Sequence, residues 1–359
     1  MTSLDEHFSV RYARWDGVGR PFTVVTTSVA ADPGPGRVLV EIDLATICGS
    51  DLHTVSGRRA APQPGILGHE QVGRVVAVGS ALPHTRGNGS AVSVGDRVVW
   101  SVTASCGQCR NCARGLGQKC LQLHKYGHER LADSWPLSGG FASHCLLLPG
   151  TTIVVVPASV PDAVAAPASC ATATVAAALD AASARGLDRS RVLITGAGLL
   201  GVTAAAMAKQ AGASVVVSDP DPARRAWATR FGADDVIGTT RQPTGFDVAI
   251  ELSGAADAVE TCLASLDVGG YAVLAGSVAT TRPAAVDPEH VVRNLITVTG
   301  VHNYGPSHLQ AAVDFLAAHH DRYPFRELVG HAYGLDRIGE ALHAAAGSNL
   351  LRQAITPAT

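Results

Sequence analysis

Alternating apolar and polar residues mark several short segments in the first part of the chain. The stretch GRVLVEIDL at 36–44 alternates in the manner of a half-buried β-strand. Valine-rich segments bounded by glycines follow at 65–80 and 94–100. Short strands separated by glycines predict a β-rich, barrel-like first region.

The pattern changes after about residue 170, where predicted strands alternate with predicted helices. Small residues at 171–184 predict a helix, and residues 191–237 predict strand, glycine turn, helix, strand, helix and short strand. FDVAIELSG and GGYAVLAGS add two buried strands, each beside a helical segment. This alternation predicts a parallel, doubly wound sheet. After about residue 303, SHLQAAVDFLAAHH predicts one helix, and short elements follow, ending in LLRQAIT.

Composition excludes two classes of partner. The chain has 359 residues, of which 47% are hydrophobic and 16% charged. This length and hydrophobic content are enough for two domains with sizeable cores. Its net charge of −2 gives no electrostatic footprint for nucleic acid or an anionic membrane. We therefore expect neither nucleic acid nor membrane as a partner.

The sequence predicts neither a secretory signal nor a membrane span. The start of the chain, MTSLDEHFSV, lacks a basic segment followed by an apolar run, so no secretory signal is predicted. The most apolar long window, near 153–182, is broken by three prolines and an aspartate, which argues against a membrane span. These features predict a cytoplasmic protein, whose thiols stay reduced.

Four of the eight cysteines lie within one short segment, as C-x2-C-x2-C-x7-C. In a reducing compartment, Cys106, Cys109, Cys112 and Cys120 predict a closed tetrahedral zinc site that braces a lobe. Loop cysteines, a disulfide pair or an iron–sulfur cluster are the alternatives. Because a closed site has no open position for substrate, the chemistry must lie elsewhere.

The stretch VLITGAGLLGV contains the pattern G-x-G-x-x-G, directly after an apolar strand and at the start of a helix. Gly196 allows a tight turn, Gly198 lets the backbone approach a pyrophosphate, and Gly201 lets helix and strand pack closely. Leu199 and Leu200 complete the turn, and the helix N-terminus that follows faces the phosphates. The alternative is a tight structural turn in another α/β protein.

The next predicted strand ends at Asp219, eighteen residues after Gly201. A carboxylate there can accept hydrogen bonds from the ribose hydroxyls of NAD and repel the 2′-phosphate of NADP. This favours NAD. Arg224 is expected beside the same ribose, where an arginine can also recruit a 2′-phosphate.

A second set of metal-ligand residues is spread along the chain. A catalytic zinc needs three protein ligands and one open position, which Cys48, His69 and Cys170 could supply. Singly, a buried cysteine or histidine is more often a packing or satisfied polar residue. Here CGSDLH and GHE are predicted at strand ends or turns beside glycines, and His53 and Glu70 lie in the same two segments.

Taken together, these motifs resemble one known family. CGSDLH, GILGHEQVGRVVAVG, VGDRV, the four-cysteine segment, GGFASH and the glycine motif occur in the order found in zinc-dependent medium-chain alcohol and polyol dehydrogenases. The resemblance covers essentially the whole chain. It implies an α/β protein with a GroES-like catalytic domain at 1–171 and 303–359, a structural-zinc lobe near 100–125, and a Rossmann NAD-binding domain at 172–302.

The resemblance assigns roles around the dispersed metal site. Cys48, His69 and Cys170 resemble the ligands of a catalytic zinc. Glu70 resembles an acid that can approach the metal and ease exchange of bound water. Asp51 resembles the carboxylate that orients the zinc-bound imidazole.

Further roles implied by the resemblance concern proton transfer and the cofactor. Ser50 matches a hydroxyl that contacts the substrate oxygen, and His53 matches the outer end of a proton relay. Thr174 resembles a residue packed on the nicotinamide, and Arg352 a basic residue near the pyrophosphate. The segment TGVHNY resembles the polyol branch, so Val301, His302, Asn303 and Tyr304 are candidates for contacts with cofactor or substrate.

Two departures bear on specificity. Some relatives have a basic residue directly after the first cysteine, where this chain has Gly49, so Arg352 and the helix N-terminus must carry more of the pyrophosphate charge. Polyol dehydrogenases often use Glu as the third zinc ligand, where this chain has Cys170. The segment LHKYGHERLADSW is rich in polar rings, which suggests a hydroxylated substrate; these rings belong to His124, Tyr126, His128 and Trp135.

The sequence thus predicts an oxidoreductase with two zinc ions per chain that transfers a hydride between NAD(H) and a small polar alcohol/carbonyl pair, such as a polyol or cyclitol. A hydroxyalkylphosphonate or a simple primary alcohol is the alternative substrate, because CATATV and GVHNY resemble dehydrogenases associated with phosphonate metabolism. We expect a homodimer or homotetramer. From other classes, a catalytically silent zinc-binding relative conflicts with the intact ligands and relay, and a nucleic-acid-binding protein lacks a recognition helix beside the cysteines.

Overall fold

The chain leaves its first folding unit after Cys170 and returns to it at Gly305. The first unit comprises Met1–Cys170, Gly305–His320 and Phe325–Thr359, and the second comprises Ala171–Tyr304 and Asp321–Pro324. The structure, a computed structural model, describes residues 7–80, 91–347 and 350–357. Residues 1–6, part of the segment in which no secretory signal is predicted, lie outside the described residues.

Seventeen strands are found within the described ranges. In chain order they are β1 (His7–Trp15), β2 (Thr23–Ala30), β3 (Val38–Thr46), β4 (Gly65–Ile66), β5 (Glu70–Val78), β6 (Arg97–Ala104), β7 (His124–Lys125), β8 (His144–Leu147), β9 (Thr151–Val155), β10 (Arg191–Thr195), β11 (Ser214–Ser218), β12 (Asp235–Ile237), β13 (Phe246–Glu251), β14 (Leu266–Leu274), β15 (Thr297–Gly300), β16 (Val329–Gly334) and β17 (Arg352–Thr356).

Ten α-helices and four 3₁₀ turns connect these strands within the same ranges. The helices are α1 (Gly49–Val55), α2 (Arg110–Ala113), α3 (Asp162–Ala165), α4 (Ala171–Ala182), α5 (Leu199–Gln210), α6 (Pro222–Arg230), α7 (Ala256–Ser265), α8 (Pro288–Arg293), α9 (Pro306–His319) and α10 (Ile338–Gly347). The 3₁₀ turns are Gly117–Lys119, Ala166–Ser169, Phe325–Leu328 and Leu335–Arg337.

The first unit is built from two β-sheets. A three-stranded sheet has the order β2-β1-β4, and a larger one has the order β16-β17-β3-β5-β6-β7, with β8 paired to β3 and β9 to β6. The alternation at 36–44 correctly predicts a strand, since β3 runs through most of it. Strand β17, from the end of the described chain, pairs antiparallel with β3, so residues far apart in sequence share one sheet.

The second unit is a six-stranded sheet of order β12-β11-β10-β13-β14-β15, in which all neighbours are parallel. Counted from β10, this is the order 3-2-1-4-5-6 of a Rossmann fold. The prediction of a parallel, doubly wound sheet is confirmed. The strands are buried because helices cover such sheets, and Leu193, Ile194 and Val248 have no exposed surface.

Two glycines shape the turn between β10 and α5. Gly196 has φ of 94°, a left-handed conformation that strongly favours glycine. A Cβ on Gly201 would lie 1.7 Å from the carbonyl oxygen of Gly196. Only a residue without a side chain allows the helix to approach the strand this closely.

Some elements differ from the predicted ones. CGSDLH follows a strand, as expected, but Gly49–Val55 then forms helix α1 instead of a turn. Asp51 explains the difference, because its Oδ2 accepts a hydrogen bond from the backbone N–H of Cys48 at 2.9 Å and caps this short helix. The C-terminal part contains α10 as well as the predicted helix near 307–320, and the hairpin β1–β2 was not foreseen.

No single helix within the described residues has the length and hydropathy to cross a membrane. One pair of helical segments, Asp162–Ser169 and Ala171–Ala182, passes the same test together, with a bend of 54° between them.

Candidate active site

Three dispersed ligand residues meet in the first unit. Cys48 precedes α1, His69 lies between β4 and β5, and Cys170 ends the 3₁₀ turn Ala166–Ser169. Their ligand atoms all lie within 4.8 Å of one another, and the two sulfurs are 4.0 Å apart. Tetrahedral Zn–S bonds of about 2.3 Å place two sulfurs about 3.8 Å apart. The donor set and its spacing therefore fit a zinc ion.

Asp51 holds two of these ligands in place. Its Oδ2 accepts from the N–H of Cys48, and its Oδ1 lies 3.4 Å from Nδ1 of His69 and 3.4 Å from the backbone nitrogen of Gly68. A carboxylate on Nδ1 fixes the orientation of the ring and leaves Nε2 for a metal. Ser50 Oγ lies 3.2 Å from that Nε2, so a hydroxyl stands beside the ligand cluster.

Protons occupy this cluster when no metal is bound. The hydrogen bond between Cys48 and Cys170 lowers the pKa of Cys48 well below its usual value and raises that of Cys170. Burial lowers the pKa of His69, but Asp51 and the Cys48 thiolate outweigh burial and raise it to about 10. A metal must displace these protons, so metal affinity falls as pH falls.

A buried ion pair lies directly behind Cys48. Glu70 has no exposed surface and Arg352 is 8% exposed. Arg352 donates from Nε to Oε2 of Glu70 at 2.7 Å and from Nη2 to Oε1 at 2.8 Å. Burial and the Cys48 thiolate raise the pKa of Glu70 more than Arg352 lowers it, with a net result of about 7. The bidentate geometry, with a third bond from Thr46 Oγ1 at 2.7 Å, is that of an ionised carboxylate.

The ion pair gives Arg352 contacts that the sequence analysis did not predict. Its Nη2 lies 3.7 Å from Cys48 Sγ, so the guanidinium contacts Glu70 and a candidate zinc ligand. The role near a pyrophosphate stays a prediction. Thr46 was missed by the sequence analysis, although it ends the strand that precedes Cys48 and pairs with Glu70 in the sheet.

His53 stands outside the ligand cluster. It lies one helical turn after Ser50 on α1 and is half-buried. Burial lowers its pKa, and the charge of Arg58 lowers it further. Its Nδ1 has no hydrogen-bond partner among the described residues. The lowered pKa keeps the ring neutral near pH 7.

The four clustered cysteines also converge. Cys120 Sγ lies 3.4 Å from the sulfur of Cys106 and 3.8 Å from that of Cys109, and Cys109 and Cys112 are 3.5 Å apart. These distances exceed the S–S bond of about 2.05 Å, so the thiols are unpaired. A backbone N–H of Leu121 contacts Cys109 and lowers its pKa to about 6. Four sulfurs at this spacing fit one tetrahedral ion.

In the second unit, the glycine turn and Asp219 form a compact loop. Asp219 is 3% exposed, and its two oxygens accept from the N–H of Ala197 at 2.7 Å and of Asp221 at 2.9 Å. A Cβ on Gly198 would meet no atom within 4 Å, so the fold alone does not require glycine there. A backbone left open beside the start of α5, where Leu199 and Leu200 begin the helix, suits a bound phosphate.

Other predicted cofactor residues are spread over this unit. Arg224 is 51% exposed and lies 3.9 Å from Asp221, whereas the unpredicted Arg225 donates to the carbonyl oxygen of Asp219 at 2.7 Å. Thr174 is half-buried on α4. The backbone N–H of Val301 donates to the carbonyl oxygen of Leu274 at 2.9 Å.

Asn303 and Glu251 show two further polar features of the second unit. Asn303 has φ of 56°, and its buried Nδ2 has no partner among the described residues. Glu251, missed by the sequence analysis, has no exposed surface, and its Oε1 accepts from the backbone of Ser253 and Gly254 at 2.6 Å each. Its position at the end of β13, before the turn SG, was the available signal.

The expectation that polar rings in the segment 123–135 line a substrate site is wrong for two of them. Tyr126 is buried and its hydroxyl binds Thr151 and the N–H of Leu148. Trp135 is buried and donates to the carbonyl oxygen of Leu146. Both rings belong to the core of the first unit. His128 does face the ligand cluster, with its ring 4.9 Å from that of His69.

Comparison with known proteins is consistent with this geometry. Residues 34–158 match the model of the alcohol dehydrogenase GroES-like domain, and residues 200–318 match that of zinc-binding dehydrogenases. The chain is 33% identical over 291 residues to L-threonine 3-dehydrogenase of Coxiella burnetii, covering 76% of this chain and 79% of that protein.

Two other proteins extend the similarity over almost the whole chain. L-threonine 3-dehydrogenase of Sinorhizobium medicae is 29% identical over 337 residues, covering 88% of this chain and 90% of that protein. The crystal structure of an alcohol dehydrogenase from Thermotoga maritima superposes with a TM-score of 0.89 at 27% identity, covering 97% of this chain and 99% of that one. The chain therefore belongs to the zinc-dependent medium-chain dehydrogenase family, with a GroES-like and a Rossmann-type unit.

Proposed function

We propose that this chain is an NAD-dependent, zinc-containing alcohol dehydrogenase that interconverts a small polar alcohol and its carbonyl compound. One observation carries the proposal: Cys48, His69 and Cys170 converge at zinc-ligand spacing with a hydroxyl, Ser50, beside them. Three protein ligands leave the fourth position of a tetrahedral ion for a substrate oxygen. The GroES-like unit is the catalytic domain, and residues 172–302 are the NAD-binding domain.

Cys48, His69 and Cys170 are called the triad below. The residues around the triad would have separate roles in this reaction. Cys48, His69 and Cys170 would hold zinc, which would make a substrate hydroxyl more acidic, and NAD would supply the hydride acceptor. Ser50 takes the proton from the substrate hydroxyl, and His53, neutral near pH 7, passes it outward. Asp51 keeps His69 in its metal-binding orientation. Glu70, which is paired with Arg352, is the acid proposed to approach the metal during exchange of bound water.

Asp219 supports NAD as the cofactor. Asp219 directly follows β11 beside the glycine turn, and both of its oxygens retain a free lone pair for ribose hydroxyls after accepting one backbone N–H each. Gly196, Gly198 and Gly201, followed by the start of α5, would hold the pyrophosphate. Asn303 Nδ2 and the carbonyl of Val301 are polar groups suited to bind the nicotinamide amide. Thr174 is proposed to pack on the nicotinamide ring.

The substrate is proposed to carry further hydroxyl or polar groups, as polyols and cyclitols do. The relatives named L-threonine 3-dehydrogenase make a hydroxy amino acid a second candidate. Hydroxyalkylphosphonates and simple primary alcohols complete the panel of compounds to be tested. We further propose that the enzyme works in the cytoplasm, where its eight unpaired cysteines stay reduced.

We also propose a homo-oligomer joined through the open edge of the six-stranded sheet. Among the described residues β15 is the edge strand of the sheet, and Val298 on it is 44% exposed; Val268 and Leu295 of the same unit are also exposed. The backbone N–H and C=O groups of an open edge strand favour pairing with a second copy. Val298→Asp should convert the assembly to monomers in sedimentation velocity, whereas Val18→Asp, which changes an exposed valine on the first unit, should not. A wild-type monomer would contradict the proposal.

Metal analysis tests the two zinc sites. We expect two zinc ions per chain in freshly prepared, active protein. Cys109→Ser should lower the melting temperature by several degrees, because thiolate–zinc bonds contribute directly to folding. Cys48→Ser should lose one zinc and abolish turnover but leave circular dichroism unchanged. One ion or none in active wild-type protein would defeat this prediction.

Cofactor kinetics test Asp219. Asp219→Gly should lower kcat/KM for NAD about 10- to 100-fold, because charge-assisted hydrogen bonds to the ribose are lost, and should raise activity with NADP. Arg224→Ala is the companion variant; it should reduce whatever NADP activity Asp219→Gly gains. If the wild-type enzyme turns over faster with NADP than with NAD at equal concentrations, the assignment of Asp219 is wrong.

The pH–rate profile tests the proton relay. Burial lowers the pKa of His53, so wild-type oxidation should fall only as pH drops through that lowered pKa and the ring becomes charged. His53→Gln should keep both zinc ions and lower the rate near neutral pH by up to about 100-fold, the lower end of positioned acid–base effects. Raising the pH or adding an exogenous base should restore part of the rate.

Ser50→Ala should be more damaging, because it breaks the relay at the substrate itself. Zinc content is measured in parallel on both variants. Loss of zinc from His53→Gln would make His53 a ligand, and an unchanged pH profile would mean that protons leave by another route.

A further inference from the structure

Two positive side chains of the first unit have no counter-ion within the described ranges. Lys125, on β7, is half-buried, yet no carboxylate of a described residue lies within ion-pair distance of its ammonium group. The nearby Glu129 uses Oε1 to accept from the backbone N–H of Lys125 at 2.9 Å. Arg59 is also half-buried, and its guanidinium makes no hydrogen bond or ion pair to a described residue. A half-buried, unpaired cation needs an explanation.

The segment that carries Lys125 lies against the candidate zinc ligands. Gly127 has φ of 73°, and a Cβ there would lie 2.4 Å from the carbonyl oxygen of Gly68, the residue before His69. The ring of His128 packs on that of His69. His128 Nδ1 forms a hydrogen bond with the carbonyl oxygen of Tyr126 at 2.8 Å, which fixes the His128 ring beside the triad.

Electrostatics link the same groups. Burial and the charge of Arg59 lower the pKa of Lys125 and the thiolates of Cys170 and Cys48 raise it, with a net result of about 8. Arg59 also lowers the pKa of His128. The two cations are thus close enough to repel each other and close to the triad. Two thiolates neutralise one Zn²⁺, so the loaded site offers Lys125 no net negative charge.

Folding does not require these charges. Tyr126 and Trp135 anchor the segment in the core, and the backbone N–H of Lys125 is satisfied by Glu129. The ammonium group adds no bond to that framework. Uncompensated positive charge beside a reaction site is instead suited to a ligand that brings its own negative charge.

We propose that Lys125 and Arg59 bind an acidic group of the substrate, so that the preferred alcohol is a small hydroxy acid with a carboxylate or phosphonate close to the reacting hydroxyl. This inference rests on the proposed dehydrogenase function and narrows its substrate class. The acid group is fixed by the two cations while the hydroxyl reaches the triad. A carboxylate and a phosphonate are both anions that two cations could bind, and the substrate experiments below distinguish them.

Matched pairs of alcohols test the subsite with zinc-loaded wild-type enzyme and NAD. The carboxylate pair is 3-hydroxypropionate and 1,3-propanediol, and 2-hydroxyethylphosphonate is the phosphonate probe. Lys125→Met should raise KM for the preferred anionic alcohol about 10- to 100-fold, the value of a lost charge-assisted bond, with less than about threefold change for the diol. Lys125→Arg should retain most of the affinity. Lys209→Met, which removes a lysine from the second unit, is the control.

Binding without turnover separates the two proposals. Methylphosphonate or acetate should raise the melting temperature of the wild type and of Lys209→Met more than that of Lys125→Met. If the diol is oxidised with higher kcat/KM than either anionic alcohol, or if Lys125→Met lowers kcat equally for all, the anion subsite is refuted while the dehydrogenase stands. If no alcohol is oxidised but the anion still stabilises the wild type selectively, the dehydrogenase proposal fails and the subsite stands.

Discussion

The buried ion pair between Glu70 and Arg352 is the contact on which the geometry of the first unit depends. It joins residues 282 positions apart, one at the start of β5 and the other at the start of β17. Removing one member of such a pair leaves an unpaired buried charge, at a cost of about 3–5 kcal/mol. Because Thr46 and Cys48 contact the same two side chains, the pair also sets where β3 delivers its thiolate.

The two units neutralise their buried carboxylates in different ways. In the first, Glu70 is paired with a guanidinium and Asp51 with an imidazole and a backbone N–H. In the second, Asp219 and Glu251 are satisfied chiefly by backbone N–H groups of adjacent turns. Backbone donors keep a carboxylate ionised without adding a side-chain charge. The second arrangement holds loops in shape, whereas the first couples charge to a metal-ligand cluster.

Local pattern was sufficient for the features that depend on neighbours in sequence. Alternation predicted β3, the strand–helix alternation predicted β10 to β15, and close spacing predicted convergence of Cys106 to Cys120. The Glu70–Arg352 contact has no local signature, because strand pairing through β17 creates it. The residue types of Tyr126 and Trp135 suit a binding site as well as a core, and only their partners decide.

The way the chain leaves and re-enters its first unit imposes an order on folding during synthesis. Residues 171–304 are nearly sufficient for the second unit, so it can form as a contiguous block. Strand β3 must wait for its partner β17, made more than 300 residues later. At about 5–20 residues per second this interval lasts roughly 15–60 s. During that time Ala45 and Thr46 of β3 lack their partner strand, although β8 already pairs with Val38–Glu41 on the same side. This short open edge exposes nascent chains to strand-mediated aggregation, and a chaperone that shields it would raise the yield.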